Sequence, residues 1–423
     1  MIERMNSLDR STSLNRRALN VSSPKFSRKS SVSQFRFLVV IGSITSFLVA
    51  IAGGYVYVLP NLGQAFHGYG FSRFNNTMLG CDVYDGKWVP DDSYPLYNAS
   101  TCPFAEKGFN CLGNGRKNKD YIRWRWKPKN CEIPRFDVWV ILKRLQGKRI
   151  VFVGDSMSRT QWESLICLLM TGVEDKSSVY EVNGSKITKQ VRYLCVRFSS
   201  FNFTVEFFRS VFLVEHGWVP KNVPKRIRST LKLDKLDVIS KEWVNSDVLI
   251  FNTGQWWVPG KLFKTGCFFQ VGGTLKLGMS ILTAYRIALN TWASWVETMI
   301  NTNRTHVFFR TFEPSHWSDK TRRYCNITQH PMSKTQGRDR NLFSDAILEV
   351  VKNMTIPVTL LRITSMSAFR SDAHVGTWSD STTSVPDCSH WCLPGLPDMW
   401  NEIVIAYLLA SDGLTPQRTG GRD

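Results

Sequence analysis

Ser156, Asp387 and His390 are the residues whose types and spacing could do chemistry together. Ser156 closes Gly154-Asp155-Ser156, which follows an apolar β-rich run at 149–153 and precedes apolar residues at helical intervals (Met157, Trp162, Leu165, Ile166, Leu168, Leu169). The segment therefore reads as strand, tight turn, helix. A hydroxyl at such a turn lies beside the free N–H groups and positive dipole end of a helix, where a developing oxyanion is stabilised. Asp387-x-x-His390 puts a carboxylate on the same side of the chain as a ring three residues on. That carboxylate can fix the ring's tautomer and favour its imidazolium, and a serine needs such a base to become nucleophilic. Each piece also has a plainer reading. Taken alone, Gly-Asp-Ser is first a helix N-cap, and His390 packs between Trp391 and neighbouring cysteines. His316 is a rival base, but no Asp precedes it by three residues.

The elements that must position these groups follow from periodicity. Helices are expected at 138–145, 157–170, 285–300, 342–351 and 397–409, and strands at 149–153, 247–251, 305–310 and 358–363. Alternation over 179–214 (Val191, Tyr193, Cys195, Arg197, then Phe201, Phe203, Val205, Phe207) suggests a hairpin leading into 211–214. The near-continuous apolar run Val248-Leu249-Ile250-Phe251 suits a parallel strand buried on both faces. Strands alternating with helices predict an α/β fold, a three-layer sandwich on a central parallel sheet. Active sites of such sheets gather at the carboxyl ends of the strands. Gly154-Asp155-Ser156, Asn252-Thr253-Gly254 and the loop holding Asp387 and His390 fall there.

The first 36 residues carry eight Lys/Arg against two acids and no apolar period, which reads as a disordered tail. Residues 37–59 then run without a charge, long enough to cross a bilayer, and no small-residue cleavage site stands out. An uncleaved signal anchor is expected, with the basic tail in the cytosol and all that follows translocated. Seven Asn-x-Ser/Thr sequons (Asn75, Asn98, Asn183, Asn202, Asn303, Asn326, Asn353) and all ten cysteines lie beyond the span, as an oxidising lumen permits. Of the net +20, the tail holds +6 and the rest +14. A basic luminal domain could attract an acidic polysaccharide, although dispersed solvated charge explains it as well. Nucleic acid on that side of a membrane is excluded as a partner. The expected organisation is tail (1–36), span (37–59), stem (60–79), Cys/Trp-rich segment (80–135), main domain (136–412) and C-terminal tail (413–423). Cys81, Cys102, Cys111 and Cys131 match no Cys-x-x-Cys zinc spacing, so disulfides are expected rather than metal, and no cofactor is called for.

The conjunction of Gly-Asp-Ser early, Asn after a middle strand and Asp-x-x-His late resembles the SGNH (GDSL) hydrolase layout. Flanking motifs narrow it: Cys81-Asp-x-x-x-Gly-x-Trp-Val89, Pro95-Leu96-Tyr97, Cys102-Pro103-Phe104, Tyr121-x-x-Trp124-Arg125-Trp126-x-Pro128, Pro134-Arg135-Phe136, Asn252-Thr253-Gly254-x-Trp256-Trp257 and Asp387-Cys388-Ser389-His390-Trp391-Cys392-Leu393-Pro394-Gly395. In this order they resemble the plant trichome birefringence-like family from Cys81 to Leu409. One departure is Gln255, where the family has His.

The resemblance implies a Golgi type II membrane protein that O-acetylates cell-wall polysaccharides such as xylan, mannan, xyloglucan or pectin, from a donor the sequence does not identify. It implies Ser156 as nucleophile, His390 as base and Asp387 as its orienter. Backbone N–H groups around Gly154 and the Asn252 amide are expected at the oxyanion, and Arg159, Trp256 and Trp257 at the substrate. Arg159 reads equally as a helix-surface arginine, and the two tryptophans equally as packing. Pairing of Cys81 with Cys131 and of Cys102 with Cys167 is expected, with Cys388 and Cys392 tied elsewhere. An acetyl-polysaccharide esterase and a non-catalytic wall-polysaccharide binding protein stay open beside the transferase.

Overall fold

The computed structural model of the protein describes residues 81–411 except 189, 220–222, 319–320, 322 and 380–385. The expected span at 37–59 lies outside them, and among the described residues no helix is long and apolar enough to cross a membrane. In chain order the strands are β1 (Gly86–Pro90), β2 (Trp124–Pro128), β3 (Arg149–Gly154), β4 (Val179–Glu181), β5 (Tyr193–Phe198), β6 (Phe203–Arg209), β7 (Val214–Gly217), β8 (Ser229–Leu236) and β9 (Val248–Phe251). They continue as β10 (Cys267–Val271), β11 (Thr274–Leu275), β12 (His306–Arg310), β13 (Thr359–Leu361), β14 (His374–Gly376) and β15 (Asp387–Trp391). The helices are α1 (Val138–Leu145), α2 (Ser156–Met170), α3 (Ile281–Met299), α4 (Leu342–Lys352), α5 (Thr364–Ala368) and α6 (Leu396–Ser411).

A seven-stranded sheet of order β13-β12-β9-β3-β6-β5-β4 forms the middle layer. Its first five strands are parallel, β5 pairs antiparallel with β6 and β4 antiparallel with β5, so the sheet is mixed rather than wholly parallel. The reason is local: β5 and β6 are joined by a short turn through Asn202, whose left-handed φ of 54° lets the chain reverse at once, whereas parallel neighbours need a crossover. Residues alternate strictly across this layer. Ile150 and Phe152 of β3 face α1, α2 and α6, while Val151 and Val153 face α3 and α4. Both faces are sealed, which is why the central strands read as unbroken apolar runs.

A second sheet, β11-β10-β8-β7, packs into the α3 side of the core through Leu231, Leu233 and Phe269. Sequence reading gave no strand at β8 or β10, and the expected 211–214 strand is instead β7, which begins at Val214 and belongs to this second sheet. The N-terminal segment, expected to be loop-rich near 81–97, contains the β1–β2 pair. Its disulfides are Cys81–Cys131, Cys102–Cys167 onto α2 and Cys111–Cys392; a fourth joins Cys325 to Cys388. The first two are the expected pairings, and Cys388 and Cys392 are indeed tied to distant partners. Cys195 and Cys267 are free and buried. Tyr94 and Tyr97 donate to Glu402 and Asp398 of α6, so the segment is bound to the main layer by hydrogen bonds as well.

Candidate active site

Ser156 is the first residue of α2, at the carboxyl end of β3. Asp155 is the N-cap: its Oδ1 accepts the Met157 N–H at 2.9 Å. The capping reading and the nucleophile reading of Gly-Asp-Ser thus fall on neighbouring residues, since a capping Asp leaves the serine hydroxyl unspent. Gly154 is required by close approach, because a Cβ there would lie 1.9 Å from Asn252 Oδ1. Asn252, next after β9, clasps the turn, taking the Asp155 N–H on Oδ1 (3.2 Å) and donating Nδ2 to Asp155 Oδ1 (3.0 Å).

The segment expected as a late loop is strand β15, paired with β14, and it brings its histidine to the same point. Ser156 Oγ lies 2.6 Å from His390 Nε2, and His390 Nδ1 lies 2.7 Å from Asp387 Oδ2. Asp387 Oδ1 also accepts the N–H groups of His390 (2.9 Å) and Ser389 (3.1 Å). Burial alone would raise this carboxyl, but the ring and those two N–H groups hold it well below the usual carboxylate range. A carboxylate can only accept, so Nδ1 carries a proton and Nε2 turns its lone pair to the serine. Such an array can remove the hydroxyl proton as the oxygen attacks an acyl carbon.

The other expected residues divide. Asn252 is 3% exposed and its amide is spent on Asp155, so it sits behind the turn rather than in the cleft. An oxyanion there would instead meet the Ser156 N–H, which as the first of the helix has no intrahelical acceptor. Trp257 is buried among Phe212, Phe269 and Tyr285, with Nε1 donating to Thr253, and packs the core instead of a ligand. Trp256 does face the cleft. Arg159 is no surface arginine: 2% exposed, it is paired with Glu163 at 2.7 Å and with Glu106, and still borders the cleft. Burial raises Glu163 to about 7 against the pull of Arg159. The guanidinium lies over Phe109, whose ring in turn flanks His390 at 5.5 Å. The rival His316 is fully buried, with Nε2 2.9 Å from Ala368 O and Nδ1 2.7 Å from His374 Nε2; burial lowers it to about 4.

The cleft beside Ser156 holds about 330 Å³. Several groups of the site escaped sequence reading. Glu106, which pairs with Arg159, and Phe109, which flanks His390, come from the N-terminal segment behind the cleft, and no local pattern links them to α2. Arg209 and Lys261 line the cleft itself. Arg209 ends β6 and is paired in register with Gly154; nothing in the local pattern, which already carries Glu206 on the same strand, singled it out. Gln255 lines the cleft and donates to Glu313 O at 2.8 Å. Among the described residues no group of three or more His, Cys, Asp or Glu is placed to hold a metal.

A mostly parallel sheet with its serine turn at one strand's carboxyl end and an Asp-x-x-His segment brought against it is the layout of a GDSL/SGNH-type acyl esterase. Residues 133–407 match the GDSL/SGNH-like acyl-esterase family found in Pmr5 and Cas1p, and residues 79–132 match the PMR5 N-terminal domain. The chain is 67% identical over 378 residues to protein trichome berefringence-like 7 of Arabidopsis thaliana, covering 88% of this chain and 84% of that one. It is 40% identical to trichome birefringence-like 6 of the same plant over 337 residues (78% and 70% covered), and 40% identical to trichome birefringence-like 9 over 346 (78% and 84%). The chain belongs to the trichome birefringence-like family and carries a GDSL/SGNH-like acyl-esterase domain.

Proposed function

We propose that the protein is an O-acetyltransferase that moves acetyl from a donor to a hydroxyl of a plant cell-wall polysaccharide through an acetyl-Ser156 intermediate. The observation carrying this reading is the unbroken line Ser156 Oγ, His390 Nε2, His390 Nδ1, Asp387 Oδ2, at 2.6 and 2.7 Å, on the wall of an aromatic and cationic cleft. Ser156 Oγ attacks the donor's acetyl carbonyl while His390 takes its proton; the leaving group departs with that proton. A sugar hydroxyl then attacks the acetyl-serine, gives its proton to His390, and Oγ leaves and is reprotonated. Asp387 holds the Nδ1–H tautomer and balances the imidazolium in both halves. The Ser156 N–H at the head of α2 receives the oxyanion. Trp256 offers a face to a sugar ring, and Arg159 holds the base in place through Phe109. Transfer outruns hydrolysis because a positioned acceptor has a high effective concentration.

In this reading residues 1–36 are a cytosolic tail, 37–59 a signal anchor, 60–79 a stem, and the segments 80–135, 136–412 and 413–423 lie in the Golgi lumen. Exposure of Asn98, Asn183, Asn202, Asn303 and Asn353 supports it, since glycosylation needs reachable asparagines. The test uses the full chain with an artificial acetyl donor and deacetylated xylan, mannan, xyloglucan and pectin oligosaccharides, wild type beside Ser156→Ala. Acetyl gained by one oligosaccharide and lost in the variant supports transfer and names the polymer. Donor consumed with every sugar unchanged makes the protein an esterase, and inertness of both proteins leaves the binding role.

A further inference from the structure

The charges around the Ser156 cleft are unevenly neutralised. Among its described lining residues there is no Asp or Glu, and three are cations: Arg159, Arg209 and Lys261. Arg159 is fully compensated, buried between Glu106 and Glu163. A second cleft of about 480 Å³ shares Arg209 with the first, and its own cations are compensated too: Arg192 pairs with Asp237 at 2.9 Å and Lys232 with Glu215. Arg209 and Lys261 form no ion pair among the described residues. The carboxylate whose charge acts on Arg209, Asp155, is fully buried under the serine turn, where its Oδ1 accepts the Met157 N–H and the Asn252 amide, and it forms no ion pair with the guanidinium.

These two cations converge on one ring. The Arg209 guanidinium lies 5.1 Å from the Trp256 ring centre and Lys261 Nζ lies 4.7 Å from it. Arg209 is half-buried and fixed by β6, in register with Gly154, one strand over from the serine turn. A half-buried guanidinium without a carboxylate, beside a ring suited to a pyranose face and next to a reactive serine, has a vacant bidentate fork. Desolvating such a cation is costly unless a ligand anion meets it.

We propose that Arg209 and Lys261, both close to the Trp256 ring, form a subsite for a sugar carboxylate, so that the acceptor polysaccharide carries a uronic acid unit at or beside the acetylated residue. This rests on the transferase reading and narrows it. The carboxylate takes the Arg209 fork, Lys261 screens its outer side, and the ring of the same sugar lies on Trp256. The hydroxyl to be acetylated is thereby held toward Ser156 and His390.

The experiment compares a uronic acid oligomer with the same oligomer after its carboxyls are reduced to alcohols, using the full chain and an uncharged acetyl ester as donor. The wild type favours the acid in kcat/KM by about tenfold or more, the scale of one charge-assisted hydrogen bond. In Arg209→Gln that ratio collapses toward one through KM; Arg209→Lys restores part of it, Lys261→Gln lowers it less, and salt lowers it in the wild type. A wild type that uses both oligomers equally, or prefers the reduced one, overturns the subsite. So does an Arg209→Gln variant that loses both alike, or one whose KM rises only for a phosphate-bearing donor such as acetyl-coenzyme A. If neither oligomer is acetylated although the donor is consumed, the transferase reading fails instead. Calorimetric binding of the acidic oligomer to Ser156→Ala, with and without Arg209→Gln, then still decides the subsite.

Discussion

His390 and His316 lie close to the same short ladder, β14 against β15, and only one of them sits between a serine and a carboxylate. His390 projects from β15 to the cleft, with a serine on one nitrogen and a carboxylate on the other. Trp391, next along the strand, points to the opposite side and stacks on His374 at 3.8 Å. Behind it His316 is closed between a backbone carbonyl and His374, whose Nδ1 donates to His390 O at 2.9 Å. Both loops are fastened by the Cys325–Cys388 disulfide and by the His316 N–H on Cys388 O. The ring is the same in both places; the neighbours differ. A carboxylate and an open face make a base, whereas a carbonyl, a second imidazole and full burial make a structural strut that holds the base's backbone.

That contrast breaks or sharpens in order of expected effect. Ser156→Ala or His390→Ala removes acetyl transfer by about 10⁴-fold or more, measured as kcat/KM on the preferred acceptor with the fold checked by circular dichroism. Asp387→Asn costs roughly 10²- to 10⁴-fold, because the amide can present a donor to Nδ1 and favour the wrong tautomer. Arg159→Met, which leaves Glu106 and Glu163 buried without their cation, destabilises the fold by about 3–5 kcal/mol in denaturant unfolding. His316→Gln loses about 1–3 kcal/mol of stability by the same measurement, while the folded fraction keeps its kcat within about threefold. A loss there as large as at His390 would erase the distinction between base and strut.

A smaller effect concerns pH. Burial raises Glu163, Glu313 and Asp398 to about 7 and Glu402 to about 8, all above their unfolded values. Between those values the native state binds more protons than the unfolded chain, so stability falls as pH rises. Buried His316 and His374 act in the opposite sense, but only below the unfolded histidine value near 6.5. The melting temperature therefore declines from pH 6.5 to 8, and Glu402→Gln flattens that slope.

What could be read beforehand was whatever repeats locally. The β3 turn and α2, the buried run of β9 and the helices α1, α3, α4 and α6 announce themselves by spacing within a dozen residues, whereas the five-residue α5 is too short to show a period. Asp387 and His390 were legible for the same reason. The β8–β10 pair was not: Leu231 and Leu233 alternating with Lys232 and Asp234 make too short an apolar signal, and the partner strand lies some thirty residues on, across a connection that no local pattern encodes. The roles of Asn252 and Trp257 were misplaced because a residue after a strand can face the cleft or the core, and side-chain partners decide which. Arg209 acquires its meaning only through its register with Gly154, a long-range fact.

The measurement that bears most directly on the central claim is mass analysis of the full-length chain after brief exposure to an uncharged acetyl donor, followed by addition of the acceptor. The account predicts one acetyl group on the peptide carrying Ser156, absent in His390→Ala, and its transfer to the sugar when the acceptor arrives. Acetyl found on another residue, or held on Ser156 while the acceptor becomes acetylated by another route, would contradict it.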